Sequence, residues 1–415
     1  MSEKLGLSNG VLNQVFSVCT INIINLAHGT TLGWLSPFLP LLQSEDSPLE
    51  TGPVTIEQGS WIGSILCLGG LAGAIIYGSL TSRLGVKRSD ISDNKIRGIL
   101  GSCMALFGNS GILLMYIVGD LLCYRTVPLV MMSVPLLFGI IMYFIPETPQ
   151  TLLRKRKVEE AAKSLKFFKG ITPGTKDLIA FERDFEVLQN FVTNSKAQTT
   201  KLQLSDFTSS QAKKGIFIGI FLMFLNQFCG IFAILTYAVT IFQESGSDLS
   251  PGASAIIIAA IQILGTMASF VFVDLAGRKV LLLVSTFGTG VGLSCLGTFS
   301  WLKEHQFDLT GFGWIPVVIL SITMFIFCVG LCSIPFFVLP EILPAKICNV
   351  GNTISMISIT IFSFVVLKIL PIMLEQIELY GATAVFAGTC FVGVIIIAIV
   401  IPETKGKNLV VPESV

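Results

Sequence analysis

The chain has 415 residues, of which 52% are hydrophobic and 13% charged, with a net charge of +1 and a mean hydropathy of +0.79. Water-soluble domains carry about 25% charged residues, so this composition cannot coat a soluble globule and points to a chain dissolved in a lipid bilayer. A soluble enzyme, a nucleic-acid-binding protein and a disulfide-stapled secreted fold are excluded, and the ten cysteines, mostly inside apolar runs and without metal or redox spacing, read as small hydrophobes.

In chain order, the first residues are polar and lead into a full-length apolar run, without the small-residue pattern of a cleaved signal. Apolar windows bounded by polar clusters predict ten membrane-spanning helices, approximately 12–36, 59–80, 99–119, 123–145, 214–242, 252–273, 280–302, 313–339, 350–373 and 381–401. Asn22, Asn25 and His28 make the first span polar. Gly69 and Gly73, spaced as GxxxG in the second, predict close helix packing. Basic residues follow alternate spans: Arg83, Lys87, Arg88, Lys95 and Arg97, then a cluster through 146–214, then Arg278 and Lys279, Lys346, and Lys405 with Lys407. The other side holds little beyond Arg125 and Lys303, with Lys368 reaching outward from a helix end. The positive-inside rule therefore predicts both termini and the 146–213 loop in the cytosol. In that loop Thr151–Lys169 spaces Leu152, Val158, Ala162, Leu165 and Phe168 as one amphipathic helix linking two membrane halves, with a calmodulin- or lipid-binding segment as the alternative.

Polar residues within later spans carry the site argument. Asn226 and Gln227 interrupt an apolar run, and an amide offers donors and an acceptor to a neutral polyol. Helix-to-helix hydrogen bonding is the alternative for both. Gly288, Gly290 and Gly292 lie in an apolar helix, the wrong context for a dinucleotide loop. With His28 and His305 the only histidines, metal catalysis has almost no raw material, and neither cofactor nor enzymatic activity is expected.

Two motifs recur in order. Ser82–Arg88 resembles Asp274–Val280, and Pro146–Pro149 resembles Pro402–Lys405, the signature of two repeated helical half-domains. Yet Ser82 precedes Pro146 by 64 positions, whereas Asp274 precedes Pro402 by 128. A third landmark, Ser89–Ile91 against Pro340–Ile342, places a deficit of about 59 residues between Arg88 and Asp90, enough for two spans of about 20 residues and their loops. The expected fold is an all-α membrane protein with an incomplete four-helix amino bundle at 1–145, a cytosolic helical linker at 146–213, a six-helix carboxyl bundle at 214–401 and a tail at 402–415. Losing an even number of crossings keeps every other helix in its orientation.

Seven stretches carry a family resemblance: His28–Pro37, the two loop motifs, Pro146–Pro149, Gln227–Gly230, Pro335–Glu341 and Pro402–Gly406. They resemble the sugar porter family of the major facilitator superfamily, and within it the insect facilitated trehalose or glucose transporter-like proteins; the missing helices would be the third and fourth. The resemblance implies two bundles rocking around a central site for a small neutral sugar, hexose or trehalose, in the plasma membrane. It implies substrate contacts from Gln227, Asn226, Gly230 and Tyr237, with Phe336 replacing a tryptophan platform. It also implies cytosolic ion pairs from Arg83, Arg88, Asp90 and Arg97 in one half and Asp274, Arg278, Lys279 and Glu341 in the other. Ser82, Val86, Leu275 and Cys348 depart from the family's charged pattern, Phe232 and Ala105 from its polar contacts, and Lys346 is expected to substitute in part for the arginine absent at Cys348. Proton-coupled members carry an aspartate in the first span; none stands here and no acid lies near the middle of any span, which favours facilitated diffusion. The shortened amino bundle predicts weak transport, and a truncated non-transporting or sugar-sensing member is the alternative.

Overall fold

The computed structural model describes residues 9–84, 97–169, 178–197, 203–245, 249–309, 311–344 and 346–403. Every regular element among them is a helix, as lipid requires of backbone that must satisfy its own hydrogen bonds.

The amino half comprises α1 (Asn9–Gly33), α2 (Leu35–Gln43), α3 (Ile56–Leu84), α4 (Arg97–Leu121) and α5 (Val127–Phe144). Trp34 keeps a helical backbone, φ −61 and ψ −37, so α2 prolongs the first span beyond residue 36. Helices α1 and α4 meet backbone to backbone: a Cβ on Gly29 would lie 2.0 Å from the Gly108 carbonyl oxygen, and one on Gly111 2.2 Å from the Leu26 oxygen. The expected contact at Gly69 and Gly73 is absent, since nothing among the described residues lies within 4 Å of a Cβ at either. The buried face of α3 is instead Ser60, Ser64 and Cys67, which it turns toward the carboxyl half. Helix α5 packs chiefly on α1, and 11% of its span is buried against 67% for Ile315–Ile342, leaving it at the edge of a thin bundle.

The linker holds α6 (Pro149–Arg154), α7 (Val158–Lys169), α8 (Leu178–Ala197) and α9 (Leu204–Thr208). The single helix expected over 151–169 is two, separated at Arg156 with φ 61. The turn lets Leu152, Leu153 and Ala161 share one small core with Phe185 and Leu188 of α8, a gain that helical spacing in 151–169 alone does not reveal. Asn13 Nδ2 donates to the Phe167 carbonyl at 2.7 Å, seating α7 at the start of α1, so the linker and the amino end of α1 share one face.

The carboxyl half comprises α10 (Ser210–Phe228), α11 (Ile231–Thr236), α12 (Ala238–Ser245), α13 (Pro251–Ala276), α14 (Arg278–Glu304), α15 (Ile315–Val329), α16 (Ile334–Ile342) and α17 (Cys348–Val400). Two expected spans, 214–242 and 313–339, are broken into pieces, and the last two run together in α17. At about 1.5 Å per residue, α17 as a straight rod would far exceed a hydrocarbon core of about 30 Å; the chain reverses at Glu378, φ 55 and ψ −177. Six helices among the described residues are long and apolar enough to cross a membrane. The halves meet along two seams, α3 with α17 and α4 with α13.

Candidate functional site

The 210–245 segment breaks because Gly230 takes a left-handed backbone, φ 75, which a side chain resists. A Cβ there would also lie 2.2 Å from the Phe386 ring. Gly230→Ala is expected to cost more than the roughly 1–2 kcal/mol of a left-handed alanine, seen as a lower unfolding temperature of the purified protein; unchanged melting would refute this.

Beside the break, Asn226 is 1% exposed. Its Nδ2 donates to the Leu331 carbonyl at 2.8 Å, and Gln227 Nε2 donates to Asn226 Oδ1 at 2.9 Å. Leu331 lies in the second break, between α15 and α16, so the Asn226 amide ties one interrupted helix to another. Gln227 keeps its carboxamide oxygen without a donor among the described residues. Phe336 stands on α16, 37% exposed, while Phe224 and Phe228 stack at 4.3 Å with Phe362 edge-on to both.

Tyr237 is buried and donates to the Leu367 carbonyl at 3.1 Å; its hydroxyl would sit 2.6 Å from a Cβ on Gly63 of α3. Two neighbouring contacts between the halves were not singled out from sequence. Tyr116 of α4 donates to the Leu235 carbonyl, and Ser36 Oγ accepts the Val239 N–H at 3.2 Å. A phenol buried inside an apolar span needs a partner, and that was the available signal for Tyr116. Along the other seam, Asn109 Nδ2 donates to Thr266 Oγ1 at 2.7 Å, and Asn109 Oδ1 accepts from Gln262 Nε2 at 2.9 Å. The lone amide of Asn109 in the 99–119 span was its own signal.

On the linker face, Arg278 Nη2 donates to Glu341 Oε1 at 3.3 Å. Glu403 accepts the backbone N–H groups of Arg278 and Lys279 at 3.1 and 3.3 Å, placing a carboxylate at the N-terminus of α14, where the helix dipole favours it. Gly277, φ 89, makes room: a Cβ there would lie 2.9 Å from Glu403 Oε2. Lys279 Nζ donates to the Ala398 carbonyl at 2.7 Å. Arg278 Nε and Glu341 Oε2 are buried without hydrogen-bond partners among the described residues. Lys346 does not fill in: its Nζ bonds Asp206 Oδ1 at 2.7 Å, because the capping box at the start of α9 holds that carboxylate within reach. The Lys346 hydrogen bond, with the Gln203 amide, keeps the Asp206 carboxyl below its ordinary range. Arg88 and Asp90, with the side chains of Arg83, Arg97 and Asp274, lie outside the described residues.

The family model described as "Sugar (and other) transporter" matches residues 88–412. Facilitated trehalose transporter Tret1 of Apis mellifera ligustica is 29% identical over 95% of this chain and 86% of its own length. Trehalose transporter 1 of Drosophila melanogaster is 28% identical over 96% of this chain, which spans about half, 51%, of that relative. The bee alignment runs over 443 positions, more than the 415 residues of this chain, so that relative carries residues this chain lacks. Among solved structures, the inward-open xylose transporter XylE from E. coli superposes with a TM-score of 0.70 at 18% identity, over 95% of this chain and 98% of that one. The proton:xylose symporter XylE bound to 6-bromo-6-deoxy-D-glucose gives 0.67 at 17%, over 95% and 97%. At such identities the likeness establishes the fold.

Proposed function

The chain belongs to the sugar transporter family of the major facilitator superfamily, and from that premise we propose that it carries a small neutral sugar, a hexose or trehalose, down its gradient by alternating access. It is an integral membrane protein and not an enzyme. The observation that carries the reading is the pair of interrupted helices joined through Asn226, with the Gln227 oxygen left over beside them. A helix broken inside a membrane protein frees backbone and side-chain polar groups where a cavity can use them. In this reading Gln227 accepts a sugar hydroxyl, Asn226 orients it, Gly230 sets the break, Phe336 offers an apolar face, and Tyr237 closes the site against α3 and α17. Arg278 and Glu341, steadied by Glu403, form the ion-paired latch, with Arg83, Arg88, Asp90, Arg97, Asp274 and Lys279 as its further charges. In this reading the amino bundle runs over 1–145, the linker over 146–213 and the carboxyl bundle over 214–401.

The absence of any acid near mid-span leaves no carboxylate to couple sugar to a proton. The basic linker face is cytosolic, with both termini, and the plasma membrane is the site of action. Saturable uptake of labelled glucose or trehalose into proteoliposomes, independent of a pH gradient, is the test. No saturable uptake of either, or strict dependence on an inward proton gradient, would overturn it. Restoring a segment of about two spans between Arg88 and Asp90 is expected to raise the uptake rate at equal protein density, since it returns a wall to the cavity; equal rates would remove that role for the missing segment.

A further inference from the structure

We propose that Lys368 is a gating residue that clasps the two halves together along the α3–α17 seam, on the face opposite the linker. Its side chain, which spacing placed on the outer side at a helix end, closes there against the amino half. Its Nζ lies 4.1 Å from the centroid of the Trp61 ring and donates to Ser60 Oγ at 2.8 Å. Both partners belong to the amino half, whereas Lys368 belongs to the carboxyl half. Phe364, one helical turn from Lys368, brings its ring within 6.2 Å of Trp61, so the indole is gripped by two residues of α17. Deeper in the same seam, Cys67 Sγ meets Ser363 Oγ at 3.4 Å, and Cys67 is buried.

An ammonium group among apolar side chains must be solvated by something. Here a hydroxyl and an aromatic face do it, and a cation over a ring is attracted most strongly when water is excluded. Both partners leave together if α3 and α17 separate, and water takes their place. The contact therefore exists in one arrangement of the halves and not in the other, which is what a gate needs to bias a two-state element. Ser36 with Val239 and Tyr116 with Leu235 close the neighbouring part of the same face through neutral hydrogen bonds; Lys368 brings a charge to it.

The proposal rests on the transporter reading and its orientation, and the test separates the two. Cys67 is the reporter, labelled in intact cells by a membrane-impermeant maleimide in a Cys123→Ser background, with the matching Cys67→Ser protein subtracted. The unaltered seam is expected to label slowly. Lys368→Met is expected to label about tenfold faster, the population change from losing one desolvated cation–ring contact, while Lys368→Arg, which keeps a cation, labels as the parent does. If Lys368→Met fails to reach the surface, Trp61→Leu carries the same expectation, with Trp61→Phe as its rescue. Equal rates for parent, Lys368→Met and Trp61→Leu would overturn the clasp. Faster labelling of Lys368→Met only from the cytosolic side of inside-out vesicles would overturn its place on the outer face. Sugar uptake is not needed for either readout, so a failure of the transport reading shows separately in the proteoliposome assay.

Discussion

Gly29→Leu and Gly111→Leu are each expected to abolish the folded protein. At both positions the atom that a new Cβ would meet is a backbone carbonyl oxygen, at 2.0 and 2.2 Å, far inside the roughly 3.5 Å of an ordinary carbon contact. A side chain in the way could rotate aside; a helix backbone cannot. The helices would have to separate along their length, and α1 also carries α5 and α7, so the strain spreads beyond one pair. Overpacking typically costs about 1–3 kcal/mol and more where nothing can yield, which is much of a protein's marginal stability. The monodisperse peak of a fluorescently tagged protein in size-exclusion chromatography should be lost. Gly69→Ala is the control, since its Cβ meets nothing within 4 Å, and it should elute as the parent. Leucine variants that elute normally would show that α1 and α4 do not need this approach.

Gln227→Ala is expected to raise the KM for sugar about tenfold while leaving the protein folded. Gln227 donates to Asn226, and its oxygen has no donor among the described residues, so its removal costs the framework little and the ligand one hydrogen bond. A hydrogen bond of about 1–1.5 kcal/mol corresponds to about tenfold in affinity. Asn226→Ala should behave differently. It leaves the buried Leu331 carbonyl without its donor, at about 1–3 kcal/mol of stability, and it also releases Gln227. Sugar-dependent uptake read beside thermal unfolding distinguishes the two: an affinity loss alone for Gln227→Ala, a loss of both for Asn226→Ala. A normal KM in Gln227→Ala would remove it from the sugar site.

The helical class and most span positions were legible from apolar runs, because lipid demands helices of a given length. The breaks were not. Gly230 lies in a run as apolar as its neighbours; the break is its left-handed backbone, φ 75, and the place a Cβ would take is filled by the Phe386 ring, a residue distant in sequence. The reversal at Glu378 was anticipated only as a gap between windows. Among the candidate site residues, Asn226, Gln227 and the Arg278–Glu341 pair were visible as polar or charged groups where such groups are costly. Their partners were not: the Leu331 carbonyl, the Glu403 carboxylate at the start of α14 and the capture of Lys346 by Asp206 all depend on which helices meet.

The sequence by itself determined the solvent and the family, and its repeat spacing predicts an internal deficit of about 59 residues, because each is a matter of composition, order and spacing along one chain. The tertiary structure alone decided which glycines pack and which polar groups are already spoken for. Gly29 touches backbone while Gly69 touches nothing, although both sit in apolar helices. Lys368, which spacing placed on the outer side at a helix end, meets Trp61 of the other half. The physical reason is common to all of these. Hydrophobic patterning specifies that a helix lies in lipid, whereas close packing and hydrogen bonding between helices act over a few ångströms and depend on neighbours that the local sequence does not name.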